Sequence, residues 1–126
     1  MAEDNAINQR VGKLILQRAG FSIDLVSDGS EAVIAHSRKP YDVILMDCQM
    51  PIMDGFEASR KIRELDGKQP IIIAVTANAL VGERERCLEA GMNDYLSKPF
   101  QAEQLVGVIR KWAALERDQS APPEQQ

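Results

Sequence analysis

Val43-Ile44-Leu45-Met46-Asp47 is an apolar run that ends in an acid, and the turn Cys48-Gln49-Met50-Pro51 follows at once. Successive apolar residues with β-branching suit a strand buried on both faces, as in a parallel sheet covered by helices. Ile71–Thr76 repeats the pattern and ends in a hydroxyl. Residues 23–26 and Tyr95-Leu96 read as shorter strands, the latter just before Lys98-Pro99.

Helical patterns fill the intervals. Ile7, Val11, Leu14 and Ile15 recur at helical spacing, and Ala19-Gly20 closes that segment. Ser27-Asp28-Gly29-Ser30 is a turn, with Ser30 the expected cap of a helix reaching Ser37. Asp54-Gly55 opens a helix carrying Ala58, Ile62 and Leu65, and residues 83–90 form the next, stopped by Gly91. The last helix is expected to bury Ala102, Leu105, Val106, Ile109 and Trp112 on one stripe. Strands alternating with helices predict an α/β fold, a parallel sheet with helices on both faces.

At 126 residues and 44% hydrophobic, the chain suits one domain with an ordinary core. Its 15 basic and 19 acidic residues are interspersed, and the net charge of −4 excludes the basic footprint of a nucleic-acid binder. No apolar run is long enough to span a bilayer, and no export signal opens the chain, so a cytoplasmic location without membrane contact is expected. Cys48 and Cys87 show no metal-ligand spacing and read as reduced packing thiols. His36 reads as a solvated surface residue, Arg60-Lys61-Ile62-Arg63 as a solvated helix face, and Met46, Met50 and Met53 as packing. Residues 118–126, rich in Gln, Pro and charge, read as a disordered tail behind a domain spanning 1–117.

Parallel sheets bind ligands beyond the carboxyl ends of their strands. That rule selects Glu3-Asp4, Asp47, Thr76 and Lys98. Gathered carboxylates repel one another unless a cation sits among them, and an all-oxygen set suits Mg²⁺. Lys98 offers a second positive charge for a phosphoryl oxygen, and Thr76 a hydrogen bond. A carboxylate placed like that of Asp47 can attack phosphorus, with positioning and charge neutralisation supplying most of the catalysis.

Five segments, Glu3-Asp4-Asn5, Val43-Ile44-Leu45-Met46-Asp47, Met50-Pro51-Ile52-Met53-Asp54-Gly55, Ala74-Val75-Thr76-Ala77 and Lys98-Pro99-Phe100, together resemble the receiver domains of two-component response regulators. The resemblance runs in order from residue 3 to about residue 115. It implies a flavodoxin-like fold and phosphorylation of Asp47 by a phosphohistidine on a histidine kinase or histidine phosphotransfer protein. It implies Asp4 as a direct Mg²⁺ ligand, Glu3 as a ligand through water, and the backbone carbonyl of Gln49 beside Asp47 in the metal set. Lys98 would pair with phosphoryl oxygens, and its bond to Pro99 would be cis. Thr76 and Tyr95 would be a switch pair that reshapes the surface of residues 83–90 and 102–112 for a partner. Gln49 and Asn78 are positions that influence hydrolysis by the same resemblance. Asp4-Asn5-Ala6-Ile7-Asn8-Gln9 is more similar to receivers of hybrid histidine kinases than to those fused to DNA-binding domains. Enzymatic activity would extend at most to the chain's own phosphorylation and dephosphorylation.

One departure stands out. Receivers begin with an apolar strand before the acid pair, and here only Met1 and Ala2 precede Glu3. The missing element would lie between residues 23–26 and Val43–Asp47, and its absence removes about 6–12 kcal/mol of burial from a domain with about 5–15 kcal/mol of net stability. A lost natural start, a rearranged and partly molten sheet, or exchange of elements between two chains would each account for this. Truncation of a longer parent, with self-association by domain swapping through the open strand edges, is the expectation. Because that strand anchors Asp4, weak Mg²⁺ affinity is expected too.

Two other functions compete. A phosphohydrolase of the haloacid dehalogenase type needs an Asp-x-Asp pair, and Gln49 stands where the second acid belongs. A scaffold or dimerisation module with a receiver fold but no phosphorylation is the other, favoured by the short start.

Overall fold

The computed structural model describes residues 1–77 and 82–120. Its elements are α1 (Ala6–Arg18), α2 (Gly29–Arg38), β1 (Val43–Asp47), α3 (Gly55–Glu64), β2 (Ile71–Thr76), α4 (Glu83–Glu89), β3 (Asp94–Ser97) and α5 (Ala102–Ser120). The three strands form one parallel sheet in the order β1-β2-β3, with Asp47 opposite Val75 and Thr76 opposite Ser97. Alternation along the strands divides the core. Ile44, Met46, Ile72 and Ala74 face α2, α3 and α4, where Ala32, Phe56, Ala58, Ile62 and Cys87 are buried. Leu45, Ile73 and Val75 face the other way, onto Leu16 of α1 and Leu105 and Ile109 of α5. The expected flavodoxin-like layering is therefore present.

Met1–Glu3 forms a short strand stub. Ala2 bridges Val26 on one side and Met46 on the other, both in parallel. Ala2 straddles Met46, donating its N–H to the Leu45 carbonyl (2.8 Å) and accepting from Asp47 N–H (3.1 Å). On the far side Glu3 N–H donates to Val26 and Val26 N–H to Met1. Residues 23–25 are not a strand, contrary to expectation; a strand needs a neighbour, and Met1–Glu3 reaches only Val26. Behind Met1 lies a cleft of about 670 Å³ between Ile23-Asp24 and Val43-Leu45, floored by Leu16 and Ile109.

Several local expectations change. Asp28, not Ser30, caps α2: its carboxylate accepts from Glu31 N–H (2.9 Å) and from the Ser30 hydroxyl (2.6 Å). His36 is buried, because Tyr41 N–H donates to Nδ1 (3.1 Å), which leaves Nε2 to donate to the Lys68 carbonyl (3.0 Å). Arg63 is half-buried rather than solvated; its guanidinium donates to Gly91 and Pro70 carbonyls and to Gln69 and Asn93 side chains. The stripe Ile7, Val11, Leu14 does mark α1 but faces solvent, and Ala102 is exposed at the start of α5. α5 runs through Ser120, so the expected tail shares its first residues with the helix, and 121–126 lie outside the described residues. No helix among the described residues is long and apolar enough to cross a membrane.

Candidate functional site

Each strand end contributes one group to a single rim. β1 ends in Asp47, 7% exposed, and β2 in Thr76, 2% exposed. The residue after β3 is Lys98, whose N–H donates to the Thr76 carbonyl at 2.7 Å, and the Lys98-Pro99 peptide bond is cis. The stub delivers Glu3, 2% exposed, between them.

Lys98 Nζ binds both Glu3 Oε1 (3.0 Å) and Asp47 Oδ2 (3.2 Å). The remaining oxygens are held by backbone donors, Glu3 Oε2 by Asn5 N–H (3.3 Å) and Asp47 Oδ1 by Gln49 N–H (3.1 Å). Asp4 is exposed, and an oxygen of each of Glu3, Asp4 and Asp47 lies within 4.8 Å of the others. Burial works to lower the Lys98 pKa, but hydrogen bonds and charge from Glu3 and Asp47 outweigh it and hold the ammonium above its ordinary value. Three carboxylates against one ammonium leave two formal negative charges unmatched. That surplus, on hard oxygen donors beside a solvent-open cleft lined by Asp4 and Gln49, fits a divalent cation such as Mg²⁺.

Local structure explains the placement. Asn5, not Asp4, caps α1, accepting from Ile7 and Asn8 N–H, so Asp4 is left to the rim. Gly55 begins α3 directly against β1: a Cβ there would stand 2.3 Å from the Asp47 carbonyl oxygen. Between them Ile52 takes a φ of 70°, a strained choice for a β-branched residue in an exposed loop. The Tyr95 ring is half-buried on the α3 and α4 side, opposite Ala74 and so two register positions behind Thr76. Cys48 and Cys87 are buried with free thiols, and burial raises the pKa of both. Asn78 lies outside the described residues.

Sequence reasoning missed Gln9. Its Nε2 donates to the Glu3 carbonyl at 2.5 Å and so ties the stub to α1. A glutamine on an exposed helix face carries no signal of that duty.

A family model for the response regulator receiver domain matches residues 1–110. Hybrid signal transduction histidine kinase I of Dictyostelium discoideum is 44% identical over 117 residues, covering 86% of this chain and 7% of the kinase. Two-component response regulator 24 of Arabidopsis thaliana is 38% identical over 112 residues, covering 88% and 80%. The chain spans only 6–10% of the length of hybrid kinase I and of two further Dictyostelium discoideum hybrid histidine kinases that it resembles. A Pseudomonas aeruginosa sensor histidine kinase receiver domain, crystallised with magnesium in its active-site cleft, superposes with a TM-score of 0.82 at 49% identity, covering 88% and 92%. The Saccharomyces cerevisiae complex of the histidine phosphotransfer protein Ypd1 with the receiver domain of Ssk1 gives 0.85 at 31% identity, covering 91% and 87%.

Proposed function

The chain belongs to the response regulator receiver domain family, and on that premise we propose that it is a phosphorelay switch whose Asp47 accepts a phosphoryl group from a phosphohistidine. The observation that supports this most directly is the Lys98 ammonium spanning Glu3 and Asp47 at the ends of three adjacent chain segments. An Asp47 oxygen attacks phosphorus as the bond to the imidazole nitrogen breaks, and the imidazole leaves with its electron pair. Lys98 turns from the carboxylates to the transferred phosphoryl oxygens, and Thr76 donates to them. Glu3, Asp4, Asp47 and the Gln49 carbonyl would hold Mg²⁺, which neutralises charge as phosphate approaches carboxylate. The neighbours with bound magnesium and with a histidine phosphotransfer partner point to the same ion and the same class of donor for this chain.

The added group brings about one and a half to two negative charges. Thr76 is drawn toward it, and the Tyr95 ring enters the space, reshaping the face of α4, β3 and α5 for a partner. In this reading residues 1–117 are the receiver unit, it works in the cytoplasm, and copies self-associate through the open edges beside the stub. The unphosphorylated scaffold is not favoured, since Glu3, Asp47, Thr76 and Lys98 share one rim.

Incubation with acetyl phosphate and Mg²⁺, then intact-mass spectrometry, tests the acceptor. A single phosphate adduct is expected, absent in Asp47→Asn and absent with chelator. No adduct on the wild type, or an undiminished one on Asp47→Asn, would refute the proposal. For the switch, partner affinity measured with and without beryllofluoride should differ in the wild type and not in Tyr95→Ala. Equal affinities throughout would remove the switch pair but leave the acceptor standing.

A further inference from the structure

A second donor cluster adjoins this rim and takes no part in the chemistry above. Cys48 from the turn after β1 meets Glu83 and Cys87 of α4, one donor atom of each lying within 4.8 Å of the others. Glu83 and Cys87 stand four residues apart, one turn along a single helix face. Burial is close to complete, at 2% exposure for Cys48, 7% for Glu83 and 1% for Cys87.

Glu83 is the telling member. Among the described residues its ion-pair partner is Arg86, at 3.8 Å, which is outside hydrogen-bond range. The carboxylate sits between two thiols with only this distant cation to offset its charge among the described residues. A cation shared with the two sulfurs brings the opposite charge into contact with it. Cys48, Glu83 and Arg86 also line the cleft that opens past Gln49 and Asp54, so an ion has a route from solvent and a fourth position for water.

We propose that Cys48 Sγ, Cys87 Sγ and the Glu83 carboxylate form a binding site for a thiophilic divalent metal of the Zn²⁺ class, distinct from the all-oxygen set at Asp47. Binding releases the two thiol protons to solvent and leaves two thiolates and one carboxylate on the ion. Metal–sulfur bonds of about 2.3 Å and metal–oxygen bonds of about 2.0–2.2 Å in tetrahedral geometry put donor pairs about 3.5–3.8 Å apart. A spacing of up to 4.8 Å therefore needs to close by about 1.3 Å at most. Soft sulfur selects against Mg²⁺, so the two sites sort ions by donor type. Cys48 and Cys87 come from different elements, which is why their spacing along the chain carried no metal pattern.

Co²⁺ serves as a spectroscopic probe, in the presence of a phosphine reductant. The full chain carrying Asp47→Asn, which disables the oxygen site, should take up one equivalent with a thiolate-to-cobalt absorption band in the near ultraviolet. Zn²⁺ should bleach that band and excess Mg²⁺ should not. Cys87→Ser should abolish it, and Glu83→Gln should weaken the affinity at least tenfold. Because a core cysteine variant can fail to fold, the wild type gives a second reading: Zn²⁺ should slow maleimide labelling of both cysteines at least tenfold, and Mg²⁺ should not. Cobalt uptake without the band, a band that persists in Cys87→Ser, or labelling indifferent to Zn²⁺ would overturn the assignment.

Discussion

Filling the groove behind Met1 should stabilise the domain strongly. The Met1 nitrogen already occupies a ladder position, donating to the Asp24 carbonyl at 2.8 Å. By the alternation of a parallel ladder, the next groups in line are Leu45 N–H and the Val43 carbonyl on one wall, and Asp24 N–H and the Ser22 carbonyl on the other. Fusing Ile-Leu-Val-Val ahead of Met1 supplies partners for them and side chains for the cleft. Four buried aliphatic side chains contribute about 1.5–3 kcal/mol each, and four ladder hydrogen bonds about 0.5–1.5 kcal/mol each. Ordering opposes this by about 1–2 kcal/mol per residue of backbone and about 0.5–1 kcal/mol per side chain. The balance is a gain of about 4 kcal/mol, or about 15 °C in Tm for a domain of this size. In urea the midpoint should move by about 2 M. Circular dichroism melts and urea titrations read both, with a Gly-Ser-Gly-Ser fusion of equal length as control. Equal midpoints for the two fusions would refute the account of the groove.

The partly buried Met1 ammonium gives the same region a pH signature. Burial, partly opposed by the Asp24 charge, lowers its pKa from 8.0 to about 6, so between those values the unfolded chain binds more protons than the folded one. Stability should rise from pH 6 to pH 8, and acetylating the terminus should flatten the slope in thermal melts. Lys98→Ala leaves Glu3 and Asp47 facing each other without their shared cation; an unfolding loss of about 3 kcal/mol is expected, with Mg²⁺ restoring more of the Tm than it adds to the wild type. Gly55→Ala forces a methyl to 2.3 Å from the Asp47 carbonyl oxygen. It should cost more than about 2 kcal/mol and slow adduct formation by acetyl phosphate, whereas Gly107→Ala, with open space around it inside α5, should stabilise by about 0.5–1 kcal/mol and leave adduct formation unchanged.

What the sequence disclosed were features set by local pattern. Strands β1 and β2 announced themselves as unbroken apolar runs because both their faces are buried. The rim residues followed from strand direction alone, since parallel strands must present their carboxyl ends together. What stayed hidden depends on contacts distant in the chain. His36 looked solvated because its partners, Lys68 and Tyr41, arrive from other segments. Arg63 sits in a basic stretch, yet its guanidinium fits four acceptors around Gly91 and Pro70. On α1 the spacing of Ile7, Val11, Leu14 and Ile15 marked the helix but not its covered side: Gly12 and Leu16 are buried, Ile15 packs partly on the core, and the other three face solvent. Periodicity finds a helix without saying which side is covered.

Stability and site geometry meet in three residues. Met1, Ala2 and Glu3 are held by ladder bonds to Val26, Leu45 and Asp47 and by the Gln9 amide, and they carry Glu3 and Asp4 to the rim. Opening the stub withdraws two of the three clustered carboxylates at once. Cation affinity at the rim must then scale with the fraction of molecules in which the stub is closed, so a stub closed in only about a tenth of them would bind about tenfold more weakly. Lys98 works on the closed side of this balance, since its bond to Glu3 Oε1 is lost when the stub leaves. In the proposed transfer the same ammonium turns toward an incoming phosphoryl. The phosphoryl would then draw away one of the ties that hold Glu3, leaving the ladder and Gln9 to keep the stub seated. An occupied groove strengthens the ladder without touching Lys98, so the fold gains rigidity and the ammonium stays free to move.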